Sequence, residues 1–265
     1  MCFVVLAYRQ HPRYRLVLAT NRDEFYARPT APAAFWHAAP AVLAGRDLQG
    51  GGTWLGITRT GRWAALTNVR EPGAHRADAP TRGALVADFL TGTQPPQPYL
   101  ATLRRTADRY NGFNLLVGDA REVYYFGNRA PGIRRLEPGL YGLSNHLLDT
   151  PWPKIERGKT ALAAALRADT IDPETLLRFL ADTQQAPDEA LPDTGVGLTW
   201  ERLLSSIFIT SPNYGTRVST VILTEESGEV TFVERAYVPN TDAQVAGTVR
   251  YTFQSDIEIV TQHID

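Results

Sequence analysis

The sequence predicts an α+β fold: two antiparallel β-sheets stacked face to face, with helices over both outer faces, a four-layer αββα sandwich. Three observations lead there. Runs rich in Val, Ile and aromatic residues come in pairs joined by short turns, which makes hairpins. Helical segments fall in pairs between those hairpins rather than singly between strands. Each sheet and helix has an apolar face to bury, and stacking the sheets beneath outer helices covers them all. The 265 residues are read as one domain, 1–265.

Residues 2–8 and 14–20 form the first expected hairpin, with its turn centred near His11. "TWLGITRTGRWAALTNV" forms a second around Thr60-Gly61, residues 113–128 a third, and residues 219–238 a fourth around Ser227-Gly228. "YTFQ" near Tyr251 adds a strand. A helix is expected at "TRGALVADFL", capped by Thr81, and another at "PYLATLRRTADRY", where Leu100, Leu103, Ala107 and Tyr110 share a face. "WPKIERGKTALAAALR" reads as a third helix with Asp149 or Thr150 as cap. In "DPETLLRFLADT" Asp172 is the N-cap and Pro173 the first helical residue. "QQAPDEALPDTGVG" reads as a surface loop.

Composition excludes several classes. A formal net charge of −1 leaves no electrostatic footprint for nucleic acid. No apolar run approaches the roughly 20 residues of a membrane span. The run at residues 3–8 meets Arg9 and is too short for a secretory leader. One cysteine forbids an internal disulfide and calls for no oxidising compartment. The expectation is a soluble cytoplasmic protein. His11, His37, His75, His146 and His263 show no metal-ligand spacing, so neither a metal nor a resident cofactor is expected. Lysine occurs only at 154 and 159, and neither stands out as a catalytic candidate. "GGTWLGI" lacks the Lys-Ser/Thr ending of a phosphate loop and opens a strand. It reads instead as a glycine-rich passage of backbone beside a pocket lined by Trp54.

The chemistry-bearing feature is position 2. A small second residue favours removal of the initiator Met, which would leave Cys2 with a thiol and a free α-amine. That amine titrates near 7.7–8.0 and can act as general base for its own thiol. In the predicted hairpin Cys2 lies opposite roughly Thr20, and Asn21, Arg22, Asp23 and Glu24 emerge beside it. Arg22 would favour a thiolate and Asp23 would hold the amine. The competing plain readings are a small core cysteine and a solvated charged turn.

The tetrad Asn21-Arg22-Asp23-Glu24 resembles the signature of the NRDE family. "MCFVV", "LATNRDEFYARPT", "GGTWLGI", "AALTNVR", "RGALV", "YNGFNLLVGD", "GLYGLSNHLLDTPWPK" and "YGTRVSTVIL" resemble it too, in order along the chain. That family includes eukaryotic transport-and-Golgi-organisation proteins and bacterial homologues. The resemblance implies the fold of the N-terminal-nucleophile hydrolases, near the choloylglycine hydrolase and penicillin V acylase branch. Carried over by position, it implies Cys2 as nucleophile and Asp23 and Arg217 as orienting groups, with Asn68 and Asn145 as oxyanion donors. Asn21, Arg22, Glu24, Trp54 and His146 are further ligand-binding candidates. The hydrolases carry an Arg three residues before that Asp, where Thr20 stands here; the Arg has moved to 22. Alternation along a strand would then turn Arg22 away from Cys2 for as long as the strand lasts.

Two functions follow as expectations. One is a cysteine amidohydrolase cleaving a linear, non-peptide C–N bond in a small-molecule amide. The other is a non-catalytic binding or trafficking protein that holds haem or a lipid acyl chain between apolar walls of the same pocket.

Overall fold

The computed structural model describes residues 2–256, with side chains from Phe3 onward. The strands are β1 (Cys2–Tyr8), β2 (Tyr14–Phe25), β3 (Thr30–Trp36), β4 (Ala39–Asp47), β5 (Leu55–Thr58) and β6 (Trp63–Asn68), then β7 (Phe113–Gly118), β8 (Val123–Gly127), β9 (Arg134–Leu136) and β10 (Gly139–Leu143). After them come β11 (Tyr214–Glu225), β12 (Glu229–Tyr237) and β13 (Val245–Gln254). The helices are α1 (Gly83–Thr91), α2 (Pro96–Leu103), α3 (Pro153–Ala165), α4 (Pro173–Leu180) and α5 (Leu198–Leu204).

One sheet runs β10-β1-β2-β11-β12-β13 and the other β3-β4-β5-β6-β7-β8-β9. Strand pairing is antiparallel throughout both. Alternation along each strand divides its side chains between two apolar layers. Val4, Leu6, Leu16, Leu18 and Ile222 meet Leu43, Leu55, Ile57 and Leu116 between the sheets. The intervening residues Phe3, Val5, Val17 and Ala19 turn outward against Ile155, Leu162, Leu176 and Leu180 of α3 and α4. On the far side Val42, Ala64, Leu115 and Val117 pack against Leu85, Phe89 and Leu100 of α1 and α2. This is the expected αββα stack. Burial on both faces is the reason runs such as "FVVLAY" are apolar without a break.

The four hairpins form where expected, with Gly61 and Gly228 at positive φ in their turns. Asp172 caps α4, its carboxylate accepting from the Glu174 amide at 3.0 Å. Several expectations change. Thr81 is not the cap of α1: Arg82 occupies that position without a side-chain cap. Neither Asp149 nor Thr150 caps α3, whose first turn follows Trp152. Asp149 instead takes positive φ and accepts from the Gly142 amide at 2.9 Å. The helix at 98–110 stops after Leu103 and gives way to turns. Strands β3, β4, β9 and β10 and helix α5 had no strong local signal. No helix among the described residues is long and apolar enough to cross a membrane.

Candidate functional site

The first hairpin sets the site. Tyr8 pairs with Leu16 and Cys2 with Arg22, which centres the turn on position 12 rather than His11. His11 is drawn into packing instead, its Nε2 2.9 Å from the Ala168 carbonyl. The partner of Cys2 is therefore Arg22, not Thr20. Thr20 lies opposite Val4 and donates its hydroxyl to the Phe3 carbonyl at 2.7 Å. Strand β2 does not end before the tetrad. It continues to Phe25 because β11 runs beside it, pairing Thr216 with Asp23 and Tyr214 with Phe25. Arg22, expected to lie away from Cys2, is its register partner. Met1 and His263 fall outside the described residues, and Cys2 is placed by its backbone.

Lying within a strand, the tetrad splits between two faces. Asn21 and Asp23 continue the Val17–Ala19 face toward the helices. Asn21 is wholly buried: its amide donates to the Leu180 and Ile207 carbonyls at 2.8 and 2.9 Å, and its oxygen accepts from Ser219 at 2.6 Å. This corrects its reading as a ligand residue; Asn21 ties the end of α4 and the 207 segment to the sheet. Asp23 is also buried and accepts from the Thr216 hydroxyl at 2.7 Å. Burial pushes its carboxyl up to about 6, against the pull of Lys154 and the Thr216 hydrogen bond.

Arg22 and Glu24 point the other way, between the sheets. The Arg22 guanidinium lies 4.3 Å over the Trp54 ring, with Asp47 and Glu24 oxygens at 3.9 and 4.0 Å. Arg28 grips Asp47 at 2.8 and 2.9 Å. Burial opposes the charge on Asp47, but Arg28 and the Gly50 amide outweigh it and hold the carboxyl below its ordinary range. These groups form one wall of a cleft of about 250 Å³. Asn68, at the end of β6, and Asp23 also line it. The opposite wall is the segment from His75 to Gly83, with Arg76, Thr81 and Arg82. Asn111 fixes that wall, pairing with both backbone groups of Arg76 at 2.8 and 2.9 Å. The glycine passage lies beneath it as expected. Gly51 and Gly52 take positive φ, and a Cβ on Gly52 would sit 2.3 Å from the Gly83 carbonyl oxygen.

Other expected site residues lie outside this lining. Asn145 donates to the Asn68 carbonyl at 2.9 Å while its own carbonyl accepts from the Arg70 amide at 2.7 Å, so it braces Asn68 rather than facing the cleft. His146 is exposed, bonded to Thr150 at 2.8 Å and tilted against Trp152. Arg217 sits in a β11 bulge and donates to the Phe25 and Arg28 carbonyls at 3.0 and 2.9 Å, which holds the turn carrying Arg28. Among the described residues, charged side chains dominate the lining of this cleft, with Trp54 and Leu66 the large apolar ones, and the apolar walls expected of a haem or acyl pocket are not found. Arg28, Asp47, His75, Arg76, Thr81 and Arg82 were missed by sequence reasoning. His75, Arg76, Thr81 and Arg82 fall in a charged, proline-bearing stretch at 70–82 that reads as an ordinary loop, whereas Arg28 comes from the turn between β2 and β3 and Asp47 from the end of β4. Among the described residues no group of three or more His, Cys, Asp or Glu could hold a metal.

Fold and site define a class: an αββα protein whose second residue enters a strand beside a buried carboxylate and a charged cleft. The family described as Transport and Golgi organisation 2 matches residues 1–239, and the chain belongs to it. It is 40% identical over 258 residues to the Transport and Golgi organization protein 2 homolog of Homo sapiens, covering 89% of this chain and 93% of that one. It is 30% identical over 264 residues to Transport and Golgi organization protein 2 of Drosophila melanogaster, covering 88% and 91%. Among solved structures, a mutant conjugated bile acid hydrolase from Clostridium perfringens aligns over 100% of both chains with a TM-score of 0.47 and 10% identity.

Proposed function

We propose that the chain is a cysteine N-terminal-nucleophile amidohydrolase acting on a linear, non-peptide amide. The observation that supports this reading most directly is the register of β1 on β2. It pairs residue 2 with Arg22, which lines the cleft together with Asn68 and whose neighbour in β2 is Asp23. On this reading, loss of Met1 frees the α-amine of Cys2. The amine takes the thiol proton as sulfur attacks the amide carbonyl carbon, and Asp23 holds the resulting ammonium. Asn68 receives the oxyanion, a donor typically worth about 2.7–4 kcal/mol in the barrier. The C–N bond then breaks, the leaving amine takes the proton from the ammonium, and a thioester remains on Cys2. Water adds to the thioester with the same amine as base; the acid leaves and the thiol is restored.

The alternative is a non-catalytic protein that holds haem or an acyl chain. The paired guanidinium and carboxylate groups of the cleft offer an apolar ligand few partners, and this favours the hydrolase. The test is intact mass before and after incubation with a β-lactone. Loss of Met1 with one adduct on Cys2, abolished by Cys2→Ala, is the expected result. A retained Met1, or a Cys2 that takes no label behind a free amine, overturns the mechanism. A Soret band on haem titration would then support the binding reading.

A further inference from the structure

Lysine is almost never fully buried unless it is paired. Lys154 is 1% exposed, among the largest fully buried side chains of the protein, and the mechanism above gives it no task. It is the second residue of α3, directly after the stiff Pro151-Trp152-Pro153 entry. Helix α3 is seated on β1 at close range: a Cβ on Gly158 would lie 2.3 Å from the Phe3 ring. Gly158 and Lys154 are one turn apart, so Lys154 belongs to the same helix stripe that rests on the start of β1. Asp23 is on the same outer face of the sheet, and the charge of Lys154 pulls its carboxyl down against burial.

We infer that Lys154 is a positioning residue of the candidate site, a buried cation that fixes Asp23 beside the start of β1. This rests on the reading of Cys2 as nucleophile. The surroundings of Asp23 make the assignment specific. Thr216 on β11 donates a neutral hydrogen bond, and Glu24 next in β2 repels. Arg70, also close, has its guanidinium committed to Glu201 of α5 at 2.8 Å and stacked 4.9 Å from Trp152. Thr194 adds two further bonds to Glu201 at 2.6 and 2.7 Å, and Tyr214 borders this group. Arg70 also feels the charge of Asp23, but Lys154 is the side-chain cation that pulls most on the Asp23 carboxyl.

The test compares wild type, Lys154→Met and Lys154→Arg by two readouts. One is the titration of the Asp23 carboxyl carbon by NMR, assigned with Asp23→Asn. The other is the pH profile of Cys2 labelling by the β-lactone. In Lys154→Met the Asp23 midpoint is expected to rise by about one pH unit or more, and the acid limb of labelling to rise with it. Lys154→Arg is expected to return both most of the way. If Lys154→Met does not fold, the Lys154 ε-carbon titration in Asp23→Asn gives the reciprocal reading, with its midpoint expected to fall. An Asp23 midpoint unchanged in Lys154→Met, or a Lys154 midpoint unchanged in Asp23→Asn, overturns the inference. If wild-type Cys2 takes no label at any pH, the nucleophile reading fails on its own. The two titrations still decide whether Lys154 holds Asp23.

Discussion

The guanidinium of Arg22 lies 4.3 Å over the ring of Trp54, joining the second strand of one sheet to the entry of β5 in the other. A flat, delocalised cation suits this place between an indole face and two carboxylates; an ammonium does not. Arg22→Lys is expected to cost about 1–2 kcal/mol in urea unfolding. A double-mutant cycle with Trp54→Leu is expected to return a coupling of about 1 kcal/mol. Additive single effects would show that the stacking contributes nothing.

Asn21 heads the tetrad, yet its place is structural. Asn21→Ala takes the donor from the Leu180 and Ile207 carbonyls and the acceptor from the Ser219 hydroxyl, which keeps only its bond from Tyr237. At about 1–3 kcal/mol for each such group, with partial relaxation, a loss of about 3 kcal/mol is expected. Chemical denaturation checks it, and a cost below about 1 kcal/mol would contradict the described geometry.

Glu234 joins the two sheets, accepting from the Ala33 amide at 2.7 Å from within the inter-sheet layer. Burial pushes its carboxyl from 4.5 up to about 7, against the Ala33 hydrogen bond and the charge of Arg22. The folded state therefore holds a proton that the unfolded chain has released, so this group's contribution is complete below about 4.5 and is lost as pH rises toward 7. Asp23 adds a change of the same sign between 3.8 and about 6. Glu234→Gln keeps an acceptor for Ala33 without the charge. Relative to wild type it is expected to gain stability across pH 4.5–7, by up to about 3 kcal/mol at the upper end. Unfolding curves at several pH values decide this; parallel curves for the two proteins would refute it.

Arg70 and Glu201 form an ion pair with both side chains 4% exposed. Removing one partner strands the other, so Arg70→Met is expected to cost about 3–5 kcal/mol. Replacing both, as Arg70→Met with Glu201→Leu, is expected to cost clearly less than the single change, although Thr194 loses its acceptor. The order of the two variants in thermal unfolding is the measurement.

The layers of this protein were legible in the sequence because they rest on local periodicity. A run such as "FVVLAY" is apolar at every position, which requires cover on both faces, and Asp172-Pro173 writes the start of α4 within two residues. The hairpins carry their own turn chemistry at Gly61 and Gly228. Position 2 and the tetrad were visible as unusual for the same reason: they are contiguous. What the tetrad does was decided only by the tertiary structure. Thr216 is 193 residues from Asp23, yet pairing with β11 keeps β2 extended through Phe25 and so turns Asn21 and Asp23 toward the helices, with Asp23 still bordering the cleft, and Arg22 and Glu24 into it. A turn centred one residue later replaces Thr20 by Arg22 as the partner of Cys2. The wall at His75–Gly83 and the buried Lys154 come from segments whose local pattern is that of an ordinary loop and an ordinary helix start. Periodicity tells each residue which face it takes; only long-range pairing and packing decide what that face meets.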